Sequence, residues 1–357
     1  MNLNPAILLI LFFCLICKVA ISFNFTDEKK RQKFTQDSAY VENFSGKLNL
    51  TIPISTRYMR FDLKDIISGN TLQFRPNQNV GVGLTFNYKW IGLGFGISVP
   101  FLNNDIDRKG NTKYYDFTTN FYFKRTIVDV NFQSYQGFYI NNHSKYSNNW
   151  QQQGIYPVRK DINASSFGST FYYLVNNRKF SYPAAFAYTQ MQKRSTGSLM
   201  LGGFFSVFGV KGDSSFVYSD FKNSFSGSSF IDYAASFQYG ISVGYIYTFV
   251  IKKRWYATIS FNPGLSVMQY YSRTIVPDSA ANLPDSVYYS SKGNIASKLQ
   301  TRIAFGYNTD RWYGGMAFMG DSFSQDNKSS AQVNYSFGSF RLFIGRRFNL
   351  SRKKNKK

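Results

Sequence analysis

The segment Phe237-Gln238-Tyr239-Gly240-Ile241-Ser242-Val243-Gly244-Tyr245-Ile246-Tyr247-Thr248-Phe249 alternates from end to end. Its odd positions are aromatic or aliphatic; its even positions, Ile246 apart, are glutamine, glycine, serine or threonine. Successive side chains of a strand point to opposite faces, so this segment has one greasy face and one small, polar face. Aromatics stand near both ends of the greasy face, where a strand crossing a bilayer meets its two lipid–water interfaces. A soluble sandwich also alternates, but its outer face is usually charged, and here the polar face carries no charge.

The pattern recurs to either side. Val80, Val82, Leu84, Phe86 and Tyr88 alternate with Gly81, Gly83, Thr85 and Asn87. Ile91, Leu93, Phe95, Ile97 and Val99 alternate with Gly92, Gly94, Gly96 and Ser98. Trp255, Ala257, Ile259 and Phe261 share a face, and Ile295, Leu299, Ile303, Phe305 and Tyr307 lie across from Lys298, Gln300, Arg302 and Asn308. Short basic turns are expected at Lys89-Trp90, Lys124-Arg125, Asn176-Asn177-Arg178-Lys179, Lys211-Gly212-Asp213, Lys252-Lys253-Arg254 and Asn308-Thr309-Asp310-Arg311. Longer links are expected at 100–112, 140–163, 221–230, 273–294 and 323–328, with 192–196 the shortest of that set. Outer-membrane barrels have short turns on the periplasmic side and longer loops outside.

Counting in this way gives about 14 strands, with 12 or 16 as the alternatives. In the last strand the apolar face changes parity at Gly338-Ser339, from Val333, Tyr335 and Phe337 to Phe340, Leu342 and Ile344, as a β-bulge would require. The expected fold is all-β: an antiparallel up-and-down transmembrane β-barrel over 47–350, after a periplasmic lead-in at 23–46 and before a basic tail at 351–357.

Composition agrees. Aromatics are 19% of the 357 residues, and glutamate, a good helix former, occurs only at Glu28 and Glu42. The net charge of +23 suits acidic lipid or polysaccharide as a neighbour. Aromatic and basic residues together also suit single-stranded nucleic acid, but export and the two-residue period argue against it. The apolar run 6–17, with small residues at Ala20 and Ser22, predicts a signal peptide at 1–22, cleaved after Ser22. Both cysteines, Cys14 and Cys17, fall inside it, so the mature chain is expected to have no disulfide, thiol nucleophile or thiolate metal site. Phe13 and Ile16 before them do not suit lipidation.

Little chemistry is legible. A hydrolase usually needs a histidine base, and the chain has one, His143, beside Ser144 in the longest expected link, where a solvated residue is the commoner case. A His-based zinc site needs several ligands, and one His with no cysteine in the expected mature chain argues against it. Asn103-Asn104-Asp105-Ile106-Asp107 offers oxygen ligands without the spacing of a calcium loop. No enzyme activity, cofactor or metal is therefore expected; the exception held open is a lipid-modifying or proteolytic barrel. Gly81, Gly83, Gly92, Gly94 and Gly96 are expected to face the lumen, as barrel curvature or as a groove in the wall. Lumen charges are expected at Asp116, Asp129, Lys298 and Arg302. Most aspartates, Asp321 among them, are expected in the lead-in or longer links. The basic short turns suit anionic phospholipid headgroups.

Several segments are similar to the family called domain of unknown function 4421, found mainly in Gram-negative bacteria of the Bacteroidota. They include Tyr40-Val41-Glu42-Asn43-Phe44, Phe74-Arg75-Pro76-Asn77, Tyr88-Lys89-Trp90-Ile91-Gly92-Leu93-Gly94, Tyr156-Pro157-Val158-Arg159-Lys160-Asp161 and Lys179-Phe180-Ser181-Tyr182-Pro183-Ala184-Ala185-Phe186. The likeness covers nearly the whole mature chain. It implies an outer-membrane barrel and carries over no catalytic residue. Arg75, Asn77, Tyr156, Arg159 and Asp161 fall in or near expected links, where binding is sought first. The expected function is a channel or small-ligand barrel; the alternative is a non-conducting structural or interaction barrel. Outer-membrane lipid, lipopolysaccharide and the barrel-assembly machinery are the expected partners, and nucleic acid is not.

Overall fold

The computed structural model describes residues 36–77, 80–99, 105–147, 154–276, 286–326 and 331–350. The expected signal peptide and basic tail lie outside these residues. The chain divides at Asp37, and the fold belongs to the second unit, Ser38–Lys357.

In chain order the elements are β1 (Val41–Asn43), β2 (Lys47–Asp65), β3 (Thr71–Arg75), β4 (Val80–Tyr88), β5 (Ile91–Ser98), α1 (Ile106–Lys109), β6 (Lys113–Tyr122), β7 (Thr126–Ile140) and β8 (Val158–Leu174). They continue with α2 (Tyr182–Phe186), β9 (Gln190–Gln192), β10 (Thr196–Lys211), β11 (Ile231–Ile251), β12 (Trp255–Val276), β13 (Ser286–Asn308), β14 (Trp312–Asp326) and β15 (Ala331–Asn349). Thirteen of the strands form one antiparallel sheet, and β1 and β9 pair separately. The sheet closes on itself where β15 pairs β2, from Ala331↔Asp65 to Asn349↔Lys47. Closure leaves no free outer edge in that stretch of wall.

The wall is not uniform. At the short-turn end it runs β2-β4-β5-β6-β7, whereas at the far end β3 joins β2 directly to β7 through Phe61↔Phe74 and Phe74↔Ile140. Thirteen strands without β3 make a circuit of twelve; thirteen without β4, β5 and β6 make a circuit of ten. The β5–β6 ladder holds three described residue pairs, Ile91↔Phe121 to Leu93↔Thr119, a thin seam beside which only the two-pair β3–β7 ladder is shorter.

Two expected strands are not in the wall. Residues 180–191 fold as α2 and β9 at the short-turn end, so Asn176 to Lys179 is not a tight hairpin turn. Lys211-Gly212-Asp213 is not a short periplasmic turn either; it begins a single long link at the opposite end, 212–230, holding two 3₁₀ turns. The 273–294 link is mostly strand, since β12 runs to Val276 and β13 starts at Ser286.

The bulge expected at Gly338-Ser339 is absent: β15 keeps one register with β14 and with β2 through both residues. What changes there is the polarity of the two faces. Below Gly338 the outward residues are Phe340, Leu342 and Ile344, all exposed; above it the inward residues Val333, Tyr335 and Phe337 are buried. β2 turns over at the same height. Ile52 and Ile54 face out below, while Met59, Phe61 and Leu63 are buried inside above, with Arg60, Asp62 and Lys64 on the outer face. A barrel wall in lipid is apolar outside, and a wall in water is apolar inside. The strands therefore cross the bilayer near their short-turn ends and stand clear of it at the other. Tyr58, paired with Gly338, marks the crossover: a Cβ on Gly338 would lie 2.8 Å from its hydroxyl, and one on Gly320 3.4 Å. The outward band, typified by Ile241 at 71% exposed, is far too apolar for a surface in water.

Candidate functional site: a lumen filled in three layers

The inward residues of β13 read off the layers in order. Ala304 lies in an apolar layer at the short-turn end, Arg302, Gln300 and Lys298 in a polar layer, and Ala296 in a second apolar layer. β14 repeats this as Ala317, Asp321 and Phe323, and β8 as Leu174, Thr170 and Ala164.

The first apolar layer is a plug. Ser181 caps α2, its Oγ accepting the Ala184 amide at 3.0 Å, and Pro183 sits in the first turn, where its missing N–H costs nothing. The helix buries Tyr182, Ala185 and Phe186 inside the barrel end with Tyr122, Tyr172 and Phe343. Tyr188 stacks between Tyr313 and Phe343, both ring centroids 4.6 Å away. Arg347 fastens it: Nε and Nη2 donate to the Tyr188 carbonyl at 3.0 and 2.6 Å, and Nη2 to Asn308 Oδ1 at 2.8 Å. Gln192 ties the far side of the plug to the Lys179 carbonyl at 2.7 Å.

In the polar layer Asp321 receives Arg302 at 2.8 Å, Lys298 at 3.4 Å and the Gln300 amide at 2.9 Å. Lys298 also donates to Thr170 Oγ1 at 2.8 Å and lies 4.5 Å from the Phe204 ring centre. Tyr172 donates its hydroxyl to Gln300. Asp129 accepts from Asn120 at 2.7 Å. The layer thus sets two cations against two carboxyl groups, all buried. Asp321 is not in a link, as the sequence suggested, but at the centre of this network. Asp116 stands nearer β2, held by Arg57 at 2.7 Å and Gln133 at 2.9 Å.

The outer layer is an aromatic core. Phe61 stacks on Phe74 at 4.5 Å and Phe208 on Tyr335 at 4.1 Å, and the 212–230 link buries Phe216, Val217, Phe221 and Phe225 among them. Asp65 anchors that link, accepting the Ser226 amide at 2.6 Å and its hydroxyl at 2.9 Å. Burial alone would raise the Asp65 carboxyl; the amides and hydroxyls of Ser226, Ser68 and Ile67 outweigh this and hold it below the ordinary carboxylate range.

The glycines divide. Gly92 is packed, since a Cβ there would lie 2.4 Å from Asn87 Oδ1. Gly83 faces Gly96 across the β4–β5 ladder and lies against Pro53. Among the described residues, Cβ atoms on Gly94 and Gly96 would touch only their own hairpin, which leaves room beside the thin β5–β6 seam. Gly81 pairs Ser98 on the same hairpin.

The five link residues are bound up with their own chain. Arg75 pairs Asp62 at 2.6 Å, and Asn77 donates to the Gly110 carbonyl at 2.7 Å. Arg159 holds Asp161 through two bonds of 2.9 and 2.7 Å and donates to the Ser215 carbonyl at 2.6 Å. Tyr156 packs edge-on against Tyr139 and His143. His143 is buried, its Nδ1 3.2 Å from the Ile140 carbonyl. Asp105 pairs Lys109 at 2.6 Å, and no group of three metal-binding side chains occurs among the described residues.

The plug and Arg347, which fastens it, escaped the sequence. The Ser181-Tyr182-Pro183-Ala184-Ala185 start was the available signal for the plug, a cap followed by proline and two helix formers.

The similarities to solved structures are low. Outer membrane protease OmpT of Escherichia coli is 10% identical with a TM-score of 0.36, the match covering 86% of this chain and 98% of that one. Outer-membrane expressed OmpT of Vibrio cholerae is 8% identical with a TM-score of 0.28, covering 88% and 100%. The attachment invasion locus protein Ail of Yersinia pestis is 10% identical with a TM-score of 0.21, covering 84% and 98%. No curated protein sequence matches the chain. The match to the family described as Domain of unknown function (DUF4421) runs over residues 35–348, and the chain belongs to that family.

Proposed function

We propose that the protein is a non-conducting β-barrel of a Gram-negative outer membrane, a structural or interaction barrel that works through its outer links and inner rim. The lumen carries this proposal. Two apolar layers enclose a charge-balanced polar layer, and each end is closed by a folded link of the same chain. A diffusion channel needs a continuous water path. Two clefts in the plugged end, beside Ala184 and beside Phe186, measure about 10 Å³ each, room for about one water. The barrel-assembly machinery and lipopolysaccharide are the partners that go with this location. Catalysis is not part of the proposal, because His143, the chain's one histidine, is committed to a backbone carbonyl and to Tyr156. A small-ligand barrel keeps one observation in its favour, the room beside Gly94 and Gly96.

The test is solute flux into proteoliposomes. Vesicles holding the folded barrel should swell in small sugars no faster than protein-free vesicles. Swelling at the rate of a general porin would overturn the proposal.

A further inference from the structure

Three short turns at the plugged end finish alike: Lys89-Trp90, Arg254-Trp255 and Arg311-Trp312. Each tryptophan stands at the start of a strand leading away from that end and is 43–49% exposed. Tryptophan in such a ring sits at the lipid–water boundary, which sets the basic residue before it at headgroup depth.

The backbone of these turns is unusual. Lys89, Lys252 and Lys253 hold φ of 53°, 49° and 64°, and the one other non-glycine residue in that region among those described is Tyr188 in the plug. Glycine or asparagine takes that conformation with less strain and is the habitual choice in tight hairpins. Three lysines at strained tips indicate that the ammonium group is what the position requires. Charge points the same way. None of Lys89, Lys252, Lys253, Arg254, Arg311 and Arg346 makes an ion pair with a described carboxylate. Arg346 lies over the Trp312 ring at 5.1 Å, and Arg254 donates to the Tyr307 hydroxyl at 3.1 Å, so both are held at the wall with donors to spare.

We infer that this rim is a collar for anionic phospholipid headgroups. The lysines and arginines take the phosphates of the adjoining leaflet, and the tryptophans rest at the glycerol level just inside. A polyanionic glycan or an acidic protein would be met by the cations alone; the tryptophans beside them favour lipid.

The three rim tryptophans are also the probe, with the chain's fourth, Trp150, replaced by phenylalanine in every sample. The folded barrel is reconstituted in phosphatidylcholine vesicles containing a minor fraction of brominated phosphatidylglycerol or, separately, brominated phosphatidylcholine, and quenching of tryptophan fluorescence gives the relative affinity. Phosphatidylglycerol should be preferred at low salt and the preference should collapse at high salt. Each surface cation contributes roughly fivefold. Lys252→Asn with Lys253→Gly should therefore cut the preference by up to ~25-fold. That variant also relieves the backbone, so the barrel should stay folded by gel mobility before and after boiling. A control, Lys64→Gln with Lys160→Gln at the opposite end, should leave the preference intact. No preference in the original protein, or full preference in the turn variant, would overturn the inference.

Discussion

Replacing Asp321 by asparagine removes one charge from a buried layer that sets two cations against two carboxyl groups. The change keeps the volume, so no cavity forms, and the new amide still accepts a hydrogen bond from Gln300. What is lost is the partner of two cations. Arg302 at 2.8 Å and Lys298 at 3.4 Å are both buried, and Asp129, the other carboxyl group of the layer, is engaged by Asn120. Breaking a buried pair by removing one member costs about 3–5 kcal/mol, because the remaining charge stays desolvated. With two cations exposed to that penalty, Asp321→Asn should lose at least about 3 kcal/mol. Urea unfolding of the barrel in phospholipid vesicles, followed by gel mobility without boiling, measures it. Adding Lys298→Met should return part of the loss, since the layer is then closer to neutral. A loss below about 1 kcal/mol would mean that water reaches the layer and that the lumen is not sealed.

Three further outcomes follow from other contacts. Tyr58→Ala uncovers Gly338 and Gly320 at the edge of the apolar band and should destabilise the barrel by about 1–2 kcal/mol in the same assay, while Tyr58→Phe should cost less than half as much. Asp65 is held below the ordinary carboxylate range, so its contribution is complete above about pH 4 and disappears as the pH falls through its folded value; hydrogen exchange of the 212–230 link should rise over that acid range, and Asp65→Asn should show the raised exchange already at neutral pH. Arg347→Met removes the bonds to Tyr188 and should make the 180–191 segment sensitive to protease from the plugged end while the barrel keeps its heat-modifiable gel mobility.

The alternation of β11, β12 and β13 was legible because it depends only on neighbours along the chain. Which parity faces inward is different, because alternation fixes two faces and not their environment. Phe340, Leu342 and Ile344 meet lipid, and Val333, Tyr335 and Phe337 meet the aromatic core, although both sets look like one greasy face shifted by a residue. Only the closure of β15 on β2 distinguishes a bulge from a strand that leaves the bilayer. The polar layer was visible on β13 as Lys298, Gln300 and Arg302, but its anion was not: Asp321 lies where a strand continues past the apolar band, and from sequence that is indistinguishable from a loop. The 180–191 segment was misread because Phe180, Tyr182, Phe186 and Tyr188 share one parity, as strand residues would, while Ser181 and Pro183 mark a helix start. The bond from Arg159 to the Ser215 carbonyl spans 56 residues and has no local signature.

The central claim is that the chain's own links close the lumen, and single-barrel current recording in a planar bilayer tests it most directly. The folded protein should show no current steps above the bare bilayer, and a variant in which both closing segments, 180–191 and 212–230, are replaced by short glycine–serine turns should show them. Steady open-channel steps from the unaltered protein would contradict the account.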